Sequence, residues 1–177
     1  MTVNLNLGLL WMMIIIIINS FSKFFNMTGW RLGWIIAPKY FVPHLEKLTS
    51  SLNICAPTIA QHAAISCFSD EAMAIYNERK LAFKERRDYL LQALSTLNLP
   101  VPVKPDGAFY IYIDISAYCD DSMIFCQRLL NEAGVAVTPG LDFGPTWAKK
   151  MIRISYATSL DRLQEAIARL QKFLPTL

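Results

Sequence analysis

The spacing of apolar residues along this chain changes period several times, and each change predicts an element. An apolar run extends from Leu7 to Ile18, broken only by Gly8, and ends in five consecutive isoleucines. β-Branched side chains favour extended backbone. A continuous apolar run is also the pattern of an internal strand of a parallel sheet, buried on both faces. Ile14 to Asn19 is therefore predicted as such a strand. The run is short of the roughly 20 residues that cross a bilayer. No basic residue precedes it and no small-residue cleavage site follows it, so an export signal fits poorly.

Downstream the pattern alternates between short strands and helices. Leu32 to Ala37 reads as a strand ended by Pro38, Lys39 to Thr49 as a short helix, Asn53 to Pro57 as a loop and Thr58 to Cys67 as a second helix. Asp70 to about Leu97 reads as a long helix, with Ser69 as N-cap and Asp70 and Glu71 favourable to the first-turn dipole. Pro100, Pro102 and Pro105 close it off. Ala108 to Ile113 is aromatic and β-branched, hence a strand. Ser122 to Glu132 reads as a helix stopped by Gly134. Val135 to Thr138 and Met151 to Tyr156 read as strands. Leu160, Leu163, Ile167, Leu170 and Leu174 recur at helical spacing and predict a final helix that ends at Pro175. His62 is expected on a helix near the core, with no catalytic role.

Composition narrows the classes. With 54% hydrophobic and 18% charged residues in 177, a folded core is expected and disorder is not. The net charge is only +3, and no run of like charge points to nucleic acid or an anionic membrane. The most basic stretch, Lys80 to Arg87, is interleaved with Glu85 and apolar residues and reads as a solvated helix face. Cys55, Cys67, Cys119 and Cys126 form no close pair, and His44 and His62 are not spaced as companion ligands, so no metal site is expected. Reduced thiols in a cytoplasmic protein are the simpler reading.

The chemistry concentrates in Ser20-Phe21-Ser22-Lys23-Phe24-Phe25-Asn26-Met27-Thr28-Gly29-Trp30-Arg31-Leu32-Gly33. The isoleucine run delivers Lys23 to a strand end, among apolar and hydroxyl neighbours, where its amine can serve as a nucleophile. Ser20, Ser22 and Arg31 could hold a dianionic phosphate beside it, since a guanidinium offers phosphate oxygens a bidentate fork. An imine-forming amine beside a phosphate cradle suits pyridoxal phosphate, an aldehyde that carries a phosphate. The segment resembles the lysine signature of class I/II aminotransferases, the fold-type-I pyridoxal-phosphate family typified by aspartate aminotransferase. It matches at Ser20, Ser22, Lys23, Asn26, Met27, Gly29, Arg31 and Gly33. The resemblance implies that Lys23 is the catalytic lysine that joins the cofactor as an imine, and that Arg31 binds the cofactor phosphate with help from Ser20 and Ser22.

A second constellation is Met151-Ile152-Arg153-Ile154-Ser155-Tyr156-Ala157. Alternation along a strand sends Arg153 to one face and Ile152 and Ile154 to the other. By the resemblance, Arg153 clamps the substrate α-carboxylate. Asp106-Gly107-Ala108-Phe109-Tyr110 is similar to the family's turn into the first small-domain strand, where an aromatic lines the substrate pocket. Phe109 is the candidate, and a core aromatic is an equal reading of it. Thr138-Pro139-Gly140 with Phe143-Gly144 resembles the loop beside the carboxylate site, and a tight Pro-Gly turn explains that composition as well.

The likeness begins at about Ile14 and leaves residues 1–13 as a non-matching segment. Residues 14–68 resemble the C-terminal part of the large cofactor-binding domain and residues 69–177 the small C-terminal α/β domain. The fold class expected is thus a truncated fold-type-I α/β transferase. The family's aspartate at the pyridine nitrogen, with its other ring-binding groups, precedes the lysine, and no aspartate stands there in this chain. The reading is an aminotransferase that moves an amino group between an α-amino acid and a 2-oxo acid, homodimeric in the intact family, here an incomplete chain of impaired activity. The alternatives are another reaction on the same fold, such as a carbon–sulfur lyase, or a non-catalytic remnant that serves as an interaction module.

Overall fold

The computed structural model describes residues 15–177. The chain divides into two compact units between Glu78 and Arg79.

The first unit opens with strand β1, Ile17–Ser20, paired antiparallel to β2, Gly33–Ile36, in the register Ile17 to Ile36 through Ser20 to Gly33. Gly33 is required by that pairing: a Cβ there would lie 2.6 Å from the Asn19 carbonyl oxygen. Helices α1, Val42–Leu52, and α2, Thr58–Ser66, follow. The buried cluster consists of Phe21, Met27, Leu32, Ala60, Ala64 and Cys67. It lies under the loop between the strands rather than under the strands themselves. The Phe21 ring meets Trp34 edge-on at 4.9 Å, and Phe25 meets Phe68 at 5.3 Å.

This corrects the expectation for the isoleucine run. β1 is antiparallel, not parallel, and is exposed along its length, with Ile17 at 46% and Ile18 at 76%. A two-stranded ribbon has hydrogen-bonded neighbours on one edge only, and both of its faces need a covering layer to become buried. The β-branched composition selects extended backbone, but it does not supply that layer. Residues 1–14, with the rest of the apolar run, lie outside the described residues. His62, expected near the core, is exposed on α2.

Helix α3, Asp70–Thr96, starts in the first unit and runs into the second. Its cap is the expected one: the Ser69 hydroxyl oxygen accepts the Ala72 N–H at 3.2 Å. The second unit then adds β3, Tyr110–Asp114; α4, Ser122–Ala133; β4, Thr138–Pro139; β5, Met151–Ser155; and α5, Leu160–Phe173. The sheet order is β3-β5-β4, antiparallel throughout. Asp121 caps α4 by accepting from the Met123 and Ile124 N–H groups, and Gly134 ends it at φ 65°. β4 is shorter than the predicted Val135 to Thr138. The Val135 N–H is used to close α4, where it donates to the Leu129 carbonyl, and Pro139 has no N–H for the ladder.

The core of this unit joins one sheet face to the helices. Ile111, Ile113 and Ile152 pack with Leu90 and Leu94 of α3, Phe125 and Leu129 of α4, and Leu163, Leu170 and Phe173 of α5. Tyr110, Tyr112 and Arg153 take the opposite positions on the same strands and remain partly exposed. Among the described residues no helix is long and apolar enough to cross a membrane.

All four cysteines are free, with Cys55 exposed and Cys67 and Cys126 buried. Burial, with the charge of Asp142 adding to it, pushes the Cys126 thiol up to about 11. At pH 8 only about one molecule in a thousand then carries the Cys126 thiolate. Iodoacetamide at that pH should label Cys55 rapidly and leave Cys126 unlabelled until the chain is unfolded. Equal rates by peptide mass mapping would contradict the burial. Urea unfolding should likewise separate core from ribbon. Leu94→Ala is expected to cost about 2–5 kcal/mol, and Ile18→Ser no more than about 0.5 kcal/mol, with less aggregation. A large loss for Ile18→Ser would show that β1 is covered.

Candidate active site

The loop that joins β1 to β2 is built by alternating anchors and polar groups. Phe21 and Met27 are buried beneath it, and Lys23 stands exposed between them in sequence. The Phe21 N–H donates to the Leu32 carbonyl at 3.0 Å and the Met27 N–H to the Phe21 carbonyl at 3.1 Å, so the loop is closed at its neck and again inside. A tight turn at Lys23 is fixed by the Asn26 N–H, which donates to the Lys23 carbonyl at 3.0 Å. Asn26 and Arg31 both adopt left-handed backbone, at φ 60° and 52°. That conformation is unfavourable for residues other than glycine and persists where the surrounding contacts demand it.

Side chains complete the loop. The Ser20 hydroxyl oxygen accepts the Ser22 N–H at 3.0 Å, and the Thr28 hydroxyl donates to the Ser22 carbonyl at 2.7 Å. Arg31 donates one Nη to the Thr28 carbonyl at 3.1 Å. Ser20, Ser22, Lys23 and Arg31 therefore share one closed loop. Its polar side chains are hydroxyls, the Asn26 carboxamide, an amine and a guanidinium, and no aspartate or glutamate occurs between residues 15 and 45. This donor set fits pyridoxal phosphate: hydroxyl and guanidinium donors for a dianion, and an amine for an aldehyde.

The second unit contains the other cationic site. Arg153 pairs across the ladder with Tyr112 on β3 and Thr138 on β4. Its guanidinium carbon lies 4.0 Å from the Tyr110 ring centre and 4.5 Å from that of Phe143. One Nη lies 3.4 Å from the Thr138 hydroxyl oxygen, while Nε is buried without a hydrogen-bond partner. Among the described residues no carboxylate forms an ion pair with it. A buried donor left unsatisfied costs free energy, and an incoming acceptor recovers it.

The turn that carries Phe143, residues Gly140–Phe143, is set by Gly140. A Cβ at Gly140 would collide with the carbonyl oxygens of Ala148 and Met151 and with the Tyr112 hydroxyl. Tyr112 in turn meets the Phe143 ring edge-on, at 6.0 Å and 88°. Burial pushes the Tyr112 phenol above its ordinary value, so it stays a neutral hydroxyl.

Phe109 packs against the core cluster, 6.2 Å from the Phe83 ring and 4.2 Å from that of Tyr110. The β3 aromatic against Arg153 is Tyr110, the next residue along. Sequence reasoning placed Thr138 beside this site by resemblance and missed Tyr110 and Tyr112. The signal available was strand parity: once β3 is paired antiparallel to β5, the residues on the Arg153 face are fixed.

The family model described as "Aminotransferase class I and II" matches residues 5–170, beginning earlier than the likeness read from the residues themselves. The valine–pyruvate aminotransferase of Mycobacterium tuberculosis is 38% identical over 161 residues, which cover 91% of this chain and 42% of that protein. A bifunctional aspartate aminotransferase and glutamate/aspartate-prephenate aminotransferase of Petunia hybrida is 38% identical over 175 residues, 90% of this chain and 35% of that protein. In structure, an aminotransferase from Mycobacterium tuberculosis superposes with a TM-score of 0.88 at 38% identity, over 92% of this chain and 42% of that one. The chain thus spans less than half the length of these relatives, and its α/β fold is the corresponding part of the fold-type-I architecture. With the lysine loop, the arginine strand and a match over most of its length in agreement, the chain belongs to the class I and II aminotransferase family.

Proposed function

We propose that this chain carries the lysine and substrate-carboxylate sites of a pyridoxal-phosphate-dependent aminotransferase acting on an α-amino acid and a 2-oxo acid. The observation that carries the proposal is the closed, acid-free loop that presents the Lys23 amine with Ser20, Ser22 and Arg31. On this reading the first unit is the end of a large cofactor-binding domain and the second is the small domain. The free thiols suit a reducing compartment such as the cytoplasm. A homodimeric intact enzyme is the expectation from the family resemblance.

Bound pyridoxal phosphate supplies an aldehyde that condenses with amines and a pyridine ring that withdraws electrons from the substrate Cα. The residues of the chain do the rest. Ser20, Ser22 and Arg31 hold the phosphate. The Lys23 amine would anchor the cofactor and, as a free amine, would take the proton from the substrate Cα as general base and return a proton as general acid. Arg153 binds the α-carboxylate and so fixes which face of Cα meets Lys23. Tyr110 lies against that guanidinium, and Phe109 supports Tyr110 from the core side.

Activity of residues 15–177 tested alone should be low, because the exposed isoleucines of β1 need a covering layer.

Borohydride reduction in the presence of pyridoxal phosphate, followed by peptide mapping, should place the pyridoxyl group on Lys23. Preferential labelling of Lys39 or Lys47 would sink the assignment. With residues 15–177 grafted behind the preceding residues of an intact relative, Arg153→Ala should lower kcat/KM for amino acid about ten- to a hundredfold, the loss of a charge-assisted hydrogen-bond pair. Cofactor affinity should be unchanged, and an unaltered kcat/KM would reject the carboxylate role.

A further inference from the structure

The strand fixes where the Arg153 side chain begins but not where its guanidinium ends. Arginine has several freely rotating bonds, and a partly exposed one samples many rotamers unless something holds it. Along its own strand face Arg153 has Tyr110 and Thr138 for neighbours, and the Thr138 contact, at 3.4 Å, is long. The remaining contact comes from outside the ladder. Phe143, ten residues earlier in sequence, is carried to the guanidinium by the Gly140–Phe143 turn and lies 4.5 Å from its carbon.

Phe143 is also 49% exposed and is not a member of either buried cluster. Core packing therefore does not account for a phenylalanine at this position. Its ring contacts do: Arg153 on one side of the relationship, and on the other the edge-on Tyr112 ring, which is fixed in β3. Gly140 tightens the turn enough to make the reach, because any Cβ there would push the turn away from Ala148, Met151 and Tyr112.

We infer that Phe143 is a positioning residue for substrate carboxylate binding: its ring holds the Arg153 guanidinium in a single arrangement and excludes water from it. This rests on the reading of Arg153 as the carboxylate clamp and adds to it a second residue that acts through the first. An aromatic ring attracts the cation without competing for its N–H donors. It also lowers the local dielectric, so an incoming carboxylate is bound more strongly than it would be by a solvated arginine. Ordering the side chain beforehand removes part of the entropy cost of binding.

Phenylglyoxal labelling of arginines in the full chain, read by peptide mass mapping with and without 2-oxoglutarate, tests the inference. In the unaltered chain Arg153 should react more slowly than the exposed Arg79 and Arg162, and 2-oxoglutarate should slow it further. Phe143→Leu should raise the Arg153 rate and the 2-oxoglutarate concentration for half-protection, each by about 2- to 30-fold, the range of a cation–π contact. Arg79 and Arg162 should be unaffected, which also reports that the fold is kept. Phe143→Tyr, which keeps the ring, should restore both values. Protection in the unaltered chain with an unchanged Phe143→Leu would overturn the positioning role and leave the carboxylate role standing. Absence of 2-oxoglutarate protection in the unaltered chain would overturn the carboxylate role, and this inference with it.

Discussion

The antiparallel pairing of β3 with β5 divides the second unit into a structural face and a chemical face. Strand side chains alternate, so the register that sets Ile113 opposite Ile152 also sets Tyr112 opposite Arg153. One face then feeds isoleucines to helices α3, α4 and α5, and the burial of those isoleucines holds the sheet in place. The other face inherits its rigidity without contributing to the core. A slip of one residue in the pairing would bury Arg153 and expose Ile152, which costs far more than any single contact at the site. The precision of the arginine site is therefore a by-product of packing on the far side of the sheet.

The lysine loop reaches comparable order by other means. It has no flanking regular structure of its own beyond two short strands. Instead Phe21 and Met27 are buried on either side of Lys23 in sequence, and the backbone bonds Phe21 to Leu32 and Met27 to Phe21 close the loop around them. The left-handed Asn26 and Arg31 are the conformational cost of that closure. Anchoring by apolar residues leaves Lys23 and Arg31 exposed on a loop that carries no acid, in a sequence half of which is hydrophobic.

Much of this was legible in the sequence, for identifiable reasons. The helices follow from period and caps: Ser69 before α3 and Gly134 after α4 stand where the pattern put them. Lys23, Ser20, Ser22 and Arg31 fall on one loop because they are close in sequence, so local pattern suffices. The isoleucine run is the instructive difference. Its composition reports backbone preference correctly, but burial depends on what lies above and below a strand, and nothing in a run of identical residues encodes that. His62 differs for the same reason, since an apolar neighbourhood in sequence, Ile59 to Ile65, is largely exposed on α2. Tyr110 was hidden because its relation to Arg153 is a matter of register, which is non-local, whereas Phe143 was placed near the arginine only by resemblance and its ring contact depends on the turn.

The guanidiniums of the two candidate sites are held by neutral groups rather than by acids. Three helix cations pair with acids one turn away: Lys84 with Asp88, Arg128 with Glu132 and Arg169 with Glu165. Such exposed pairs, screened by solvent, contribute little to stability and make no demand on a ligand. Arg31 and Arg153 have no carboxylate partner among the described residues, although the chain carries 14 acidic residues against 17 basic ones. Arg31 is instead tethered to a backbone carbonyl, and Arg153 is held by aromatic rings. Both arrangements fix a guanidinium in space while leaving donors unspent. Holding them by neutral groups makes sense where the anion is to arrive from outside, a dianionic phosphate at the first and a carboxylate at the second.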